Sequence, residues 1–298
     1  MATVLVVGGV NLDLTVFADI RPGAGETIVG RGPVATSGGK GANQAVAAAY
    51  VGARVRLCAR VGDDAAGAEQ LDKLQAAGID VSGVRVAGGT ATGMAFILLT
   101  PDGENSIVVG TGANAALAPD DVAAAMDHDV GLVLAQTEPG LAPVETAAAL
   151  ARRHSTRFAI NAAPVHGLSV DILRQADPLI VNQHEAADLL RAHGITGDAP
   201  LESLGAALRG HFGCRSVVVS LGALGASVVD EDTDQLVAAP SVTVVDTTGA
   251  GDVLVGVIAA RLAQGWNLLH ATEDACVVAG RAVTSAGARG YLRPSPSP

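Results

Sequence analysis

The sequence predicts an α/β protein, with a three-layer α/β/α arrangement around a mainly parallel sheet and a small β-sheet lid. Three observations predict it. Short apolar runs rich in Val and Leu alternate with Ala- and Leu-rich stretches along most of the 298 residues. Polar residues suited to binding and catalysis collect where the apolar runs end. The composition is 49% hydrophobic but only 2% aromatic and 16% charged, so the core must be built from Ala, Val, Leu and Ile, as buried parallel strands and small-residue helix faces are.

Residues 4–8 are an apolar run ending in glycines, the pattern of a buried strand. The same pattern recurs at 55–59, 130–134, 157–160, 179–181, 216–220 and 225–229, and a Val-rich run at 241–245 reads as a further strand. Helical stretches lie between or after them, at 42–51, 65–77, 119–126, 143–154, 185–192, 201–212, 253–262 and 271–283. Alternation of this kind argues for a parallel sheet covered on both faces. Ligands in such sheets bind beyond the carboxyl ends of the strands. Residues 8–13, 135–138, Asn161, Asn182, Ser220 and 246–252 all fall there, which predicts one shared site.

Two stretches break the alternation. Residues 14–36 carry Gly/Pro turns and short β-type runs. Residues 92–111 read as a hairpin, 94–100 and 105–109 around Pro101-Asp102-Gly103-Glu104. Together they predict a small sheet over the site. Residues 1–292 read as one domain, and 293–298 as a disordered Pro/Ser tail.

A net charge of −11 argues against sequence-independent nucleic-acid binding, which needs basic clusters. The three cysteines, Cys58, Cys214 and Cys276, lie far apart in apolar surroundings and read as structural thiols of a reducing compartment. The seven histidines lack ligand spacing, and C-x-x-C and H-E-x-x-H are absent, which argues against a transition-metal site. The N-terminus reads as a strand rather than a signal peptide, and no run reaches the ~18 apolar residues of a membrane span. A soluble cytoplasmic protein is expected.

The most informative segment is Asp246-Thr247-Thr248-Gly249-Ala250-Gly251-Asp252, a Gly-rich turn opening onto an apolar helix. A helix N-terminus presents unpaired N–H groups and partial positive charge, and glycines let the backbone curl round an anion. Asp252 reads either as a helix-capping acid or as a carboxylate within reach of whatever attacks that anion. The second segment is Gly38-Gly39-Lys40-Gly41-Ala42-Asn43-Gln44, opening an Ala-rich helix. It is not a P-loop, since Gly41 follows Lys40 where Ser or Thr is required. Lys40, flanked by glycines, has no helix or strand face to serve; a phosphate, Asp13 and Glu138 are its candidate partners. Asn43, with its amide free, Asp13, Asn11, Gly39 and Glu138 offer the donors and acceptors a polyhydroxylated ligand needs. Asn182 and Glu185 form N-x-x-E, readable as a helix cap or as ligands to a hydrated Mg²⁺. G-x-G-x-x-G is missing after the first strand, so a dinucleotide fold is disfavoured.

These two segments resemble the two signatures of the ribokinase-like (PfkB) carbohydrate kinases. Asn11-Leu12-Asp13, Pro22-Gly23-Ala24-Gly25-Glu26-Thr27, Val61-Gly62-Asp63-Asp64, Gly112-Ala113-Asn114-Ala115-Ala116-Leu117, Asn161-Ala162-Ala163-Pro164 and Val181-Asn182-Gln183-His184-Glu185 follow in the family's order, over about residues 4–292. The resemblance implies ATP-dependent phosphorylation of a sugar, D-ribose at its 5-hydroxyl, with another sugar or a nucleoside as the alternative and a non-catalytic sugar-binding protein as a remote one. It implies Asp252 as the base and Gly249, Ala250 and Gly251 as an anion hole. It implies a sugar site of Asn11, Asp13, Gly38, Gly39, Lys40, Asn43 and Glu138. It also implies ATP held by Asn182, Ser220, Gly222, Gly225 and Gly251, an adenine wall in helix 271–283, and Mg²⁺ held through water by Glu185. A K⁺ activator would lie beside Asp246, Thr248, Ala282, Ser285 and Gly287. At Tyr291 the sequence departs from the family, which places a serine oxygen there. The resemblance further implies a homodimer paired through the lid.

Overall fold

The computed structural model describes residues 2–292, except 103, 166 and 196–199. The predicted tail therefore lies outside the described residues, as does Gly103 of the predicted turn.

The chain opens with β1 (Thr3–Val7), enters a second sheet with β2 (Asn11–Phe17) and β3 (Arg31–Gly38), and turns into α1 (Lys40–Tyr50). Next come β4 (Arg54–Gly62), α2 (Ala65–Ala76), β5 (Val84–Ala87), β6 (Gly93–Leu99), β7 (Asn105–Gly110) and α3 (Pro119–Ala125). The middle of the chain alternates strand and helix: β8 (Val130–Gln136), α4 (Leu141–Arg153), β9 (Arg157–Asn161), α5 (Val170–Leu173), β10 (Leu179–Asn182), α6 (Gln183–Ala192) and α7 (Leu204–Phe212). The last part holds β11 (Val217–Ser220), β12 (Ala226–Val229), β13 (Asp234–Val237), α8 (Ala250–Ala263) and α9 (Leu268–Ala282).

The large sheet has nine strands in the order β13-β12-β11-β10-β9-β8-β1-β4-β5, parallel from β11 to β5 and antiparallel at the β12–β13 edge. Strand alternation divides its side chains between two cores. Val4 and Val6 join α1, α8 and α9, whereas Leu5 and Val7 join α3, α4, α6 and α7. This is the predicted three-layer arrangement. All three cysteines are buried and free. Among the described residues no helix is long and apolar enough to cross a membrane.

The small sheet has the order β3-β2-β6-β7, and the predicted hairpin is its β6–β7 half. It begins at Asn11, three residues before the predicted segment, because β2 pairs with β3 from Asn11↔Gly38 onward.

One expectation fails. Residues 241–245 form no strand. The adjoining sheet edge is already taken by β13, which pairs with β12, and Val242, Val244 and Val245 are exposed. The segment is tied instead to the end of α9, with Val245 N donating to Val283 O at 2.8 Å. The valines alternate as in a strand, but they cover a cleft rather than a core.

Two glycines set distances that matter below. Gly39 has φ 85°, a left-handed turn that L side chains resist, and it starts α1 at Lys40. Lys40 is therefore the first helical residue, not part of a free loop. Gly256 lets α8 lie directly on α1: a Cβ there would be 2.3 Å from Gln44 O and 2.8 Å from Ala47 Cβ.

Candidate active site

The carboxyl ends of β8, β9, β10 and β11 deliver Gln136, Asn161, Asn182 and Ser220 to one edge of the large sheet. The N-termini of α1 and α8 face the same edge, so Lys40 and Asp252 meet there. A chamber of about 130 Å³ is lined by Lys40, Asn161, Asn182, Glu185, Ser220, Gly249, Gly251 and Asp252. Ser220, Gly251 and Leu254 also line a larger, mostly apolar cleft of about 580 Å³, so the two run together. The cleft is closed by Gly222, Gly225, Val242, Val244, Cys276, Ala279 and Val283. Residues of helix 271–283 thus line one wall of this cleft, and the misread valines line another.

Asp252 lies in the first turn of α8, three residues past the N-cap Gly249, and makes no capping bond. Both its oxygens are held from α1: Asn43 Nδ2 donates to Oδ2 and Gln44 Nε2 to Oδ1, each at 3.0 Å. Gln44 Nε2 also donates to Asn161 Oδ1 at 2.9 Å, and Gln136 Nε2 donates to Gln44 Oε1 at 2.6 Å. The amide of Asn43 is therefore not free, because its Oδ1 accepts from Arg289 Nε at 2.9 Å. At the helix start, Ala250 N is engaged by Thr247 O at 3.2 Å. Among the described residues the amides of Gly249 and Gly251 have no acceptor, so two of the three predicted anion-hole donors are open. A Cβ at Gly251 would meet no protein atom, so the bareness of this residue serves the cleft rather than the fold.

Asp13, Asn11, Glu138 and Asn114 form a second cluster at the base of the small sheet. Asn11 Nδ2 donates to Glu138 Oε1 at 3.3 Å, Lys40 N donates to Glu138 Oε2 at 2.9 Å, and Asn114 Nδ2 donates to Asn11 Oδ1 at 2.7 Å. Asp13 Oδ1 is buried without a protein partner, an acceptor left for a ligand. Burial pushes the Asp13 carboxyl up to about 6, against the pull of Arg289 and with Asp252 adding to it. Burial pushes Glu138 up to about 7, although Lys40 opposes it. For Lys40 burial works against the charge, but Asp252, Glu185 and Glu138 outweigh it and hold the pKa above its ordinary value. Lys40 Nζ nevertheless forms no ion pair among the described residues, so neither Asp13 nor Glu138 is its partner. A half-buried ammonium amid carboxylates, beside open amides, makes a site for a multiply charged anion.

Asn182 caps α6, accepting from Glu185 N at 2.8 Å, while Glu185 Oε2 accepts from Asn182 N at 2.8 Å. The capping reading of N-x-x-E is correct, yet Glu185 still faces the chamber and burial raises its pKa. Asp246 accepts from Thr248 N at 2.9 Å and Gly287 N at 2.8 Å, which brings 246–248 and 285–287 together. The carbonyls of Ala282 and Gly287 accept turn bonds from Ser285 and Gly290. Tyr291 packs edge-on against Tyr50 at 5.1 Å, and its hydroxyl is buried without a partner.

Sequence reasoning missed Arg289 as a site residue, placed Gln136 and Asn161 only among the residues at the strand ends, and saw Gln44 only as part of a motif. Gln44 and Asn161 stand beside recognised positions, and a buried amide at a strand end is the signal that was there to use. Arg289 lies in a turn with no local pattern.

The chain is similar to known proteins along its length. The model of the family described as "pfkB family carbohydrate kinase" matches residues 1–294. A ribokinase of Schizosaccharomyces pombe is 36% identical, covering 97% of this chain and 94% of the relative. A ribokinase of Bacillus subtilis is 34% identical over 98% and 96%. The structure of an Arabidopsis thaliana ribokinase complexed with ribose and ATP superposes with a TM-score of 0.86 at 26% identity, covering 97% of this chain and 95% of that one. With the sheet order, the two signature segments and these matches in agreement, the chain belongs to the pfkB family of carbohydrate kinases.

Proposed function

We propose that the protein transfers the γ-phosphoryl group of ATP to the 5-hydroxyl of D-ribose, giving ribose 5-phosphate. The observation that carries this is the position of Asp252, held by Asn43 of α1 and lying at the anion-accepting end of α8. Phosphoryl transfer asks for positioning and charge neutralisation more than for covalent chemistry. In this reading Asn11, Asp13, Gly38, Gly39, Lys40, Asn43 and Glu138 hold the sugar, and Asp252 takes the proton of the attacking hydroxyl as the O–P bond forms. The open amides of Gly249 and Gly251 and the ammonium of Lys40 stabilise the transferring group. Ser220, Gly222, Gly225 and the apolar cleft take the nucleotide, with Asn182 near its phosphates.

Among the described residues no group of three or more His, Cys, Asp or Glu could hold a metal. Glu185, which faces the chamber, is the one carboxylate that would hold a hydrated Mg²⁺, an ion that takes most of its ligands from water and phosphate oxygens. Mg²⁺ would neutralise phosphate charge. The Asp246-bridged turns, 246–248 and 285–287, suit a K⁺ that would add positive charge behind the anion site. One domain, with 14–36 and 92–111 as its lid, and a homodimer in the cytoplasm complete the reading. The exposed Val34, Phe96, Ile107, Val108 and Val109 on the lid support the dimer.

The test is ATP consumption with D-ribose, 2-deoxyribose, fructose and adenosine, each with K⁺ and with a large organic cation only. Preferential turnover of ribose, stimulated by K⁺, is the expected result. Preference for another acceptor overturns the ribose assignment, and absence of K⁺ stimulation overturns the cation site.

A further inference from the structure

Arg289 enters the site from the turn after α9. Its Nε donates to Asn43 Oδ1 at 2.9 Å and its Nη2 to Gly38 O at 3.3 Å. The two contacts are not equivalent. An amide offers oxygen to one side and nitrogen to the other, so a donor on Oδ1 fixes which way the group is turned. With Arg289 on the oxygen, Nδ2 must face Asp252 Oδ2, as it does at 3.0 Å. The Gly38 contact adds a second effect. The Asp13 carboxylate lies directly over Gly38, where a Cβ would stand 2.2 Å from both its oxygens. Arg289 and Asp13 thus meet across a bare glycine.

We propose that Arg289 is a positioning residue: it orients Asn43 toward Asp252 and supplies the cation that faces Asp13, so that one side chain outside the sequence signatures aligns the base and the sugar-binding acid together. A planar fork suits this task, because a single guanidinium can reach two acceptors at a fixed angle. The charged groups around Asp13 are Arg289 from the turn after α9, Asp252 from α8 and Glu138 from the loop after β8. Of these only Arg289 is positive. Asp13 Oδ1 has no partner within the protein, so this one cation is its main electrostatic support until a ligand arrives. Arg289 also borders a cavity of about 590 Å³ with Ser37, Tyr50 and Lys73, so shorter or apolar side chains fit without crowding.

The proposal rests on the kinase reading, and its test is built so that the two fail separately. Arg289→Met, Asn43→Ala and the double variant are compared with the parent, using the acceptor of the four-compound panel that the parent turns over fastest. Expected is a fall in kcat of about 10- to 100-fold for Arg289→Met, the effect of losing a hydrogen bond to a charged group. In the Asn43→Ala background the same change should cost clearly less than in the parent, leaving only the part that acts through Asp13, because coupled residues are not additive. Arg289→Lys should recover less than half of the lost kcat, since it restores charge without the fork. An equal loss in both backgrounds overturns the orienting role.

A second readout needs no turnover. The carboxyl resonance of Asp13, assigned with Asp13→Asn, should titrate at higher pH in Arg289→Met than in the parent and return toward the parental value in Arg289→Lys. An unmoved titration overturns the electrostatic role, whatever the substrate proves to be. Melting temperatures of all variants identify any loss that is only misfolding.

Discussion

Gln44 holds Asp252 from the neighbouring helix: its Nε2 donates to Asp252 Oδ1 at 3.0 Å while also donating to Asn161 Oδ1. One amide therefore joins the carboxylate to the end of a central strand. Gln44 is fully buried, and its own oxygen is satisfied by Gln136. Replacing it with Leu keeps the volume and strips the partners from three groups. We expect Gln44→Leu to lower stability by about 1–3 kcal/mol for each group left unpaired, and to lower kcat more than it raises the sugar KM. Denaturant unfolding and steady-state kinetics measure both, and an unchanged kcat would show that Asp252 needs no such support.

Asp252→Asn keeps the shape and removes the proton acceptor. The expected loss in kcat is about 10²–10⁴, the usual range for general base catalysis, with sugar affinity changing much less. Isothermal titration with ribose separates the two effects. A variant with parental kcat would remove Asp252 from the mechanism.

The raised acids give the protein a pH signature. Asp13 and Glu138 are pushed by burial from 3.8 and 4.5 up to about 6 and about 7. Between the ordinary and the raised values the folded protein binds more protons than the unfolded chain, so stability falls as pH rises. Their stabilising contribution is complete below the ordinary values and is lost as pH rises through 6 and 7. Asp64 and Asp246, held low chiefly by hydrogen bonds that outweigh burial, act with the opposite sign, but only at more acid pH. The ligand-free protein should therefore melt at a lower temperature at about pH 7.5 than at about pH 5, and Glu138→Gln should reduce the difference. Calorimetry across that range decides it, and a slope unaffected by Glu138→Gln refutes the assignment.

The exposed strand β7 supplies a test of assembly. Val108 is 69% exposed, and Ile107 and Val109 beside it are about half exposed. The same face on two copies would meet across a two-fold axis in the homodimer we propose. Val108→Glu should convert a dimer to a monomer in light scattering at micromolar concentration. Equal masses for the two proteins would exclude pairing through this strand.

Much of this was legible in the sequence because the signals were local. The β1, β4, β8 and β10 runs are apolar and bounded by glycines or polar residues, and α1 and α8 follow Gly-rich turns. Short edge strands escaped, since β5 and β13 are only four residues long and expose two and three of them, too little for an apolar period to show. The Val run at 241–245 misled because alternation reports one apolar face without saying whether a core or a ligand covers it. Within the site, Asp252, Lys40 and Glu138 were legible as charges near glycines. Arg289 was not, because its partners Asn43 and Gly38 lie about 250 residues away in sequence, at separations of 246 and 251.

The close contact at Gly256 has a consequence for how such a protein changes over time. Asp252 rides on α8, and the groups that hold it ride on α1, so one interhelical spacing, fixed a turn further along by a missing methyl group, sets the registry between the carboxylate and its two amide partners. Residues elsewhere around the site can then change without disturbing the contact between Asp252 and the amides that hold it. The chemistry can stay anchored while acceptor preference changes, and one of the positions closed to a larger side chain, Gly256, lies in the helix packing rather than among the polar residues of the site.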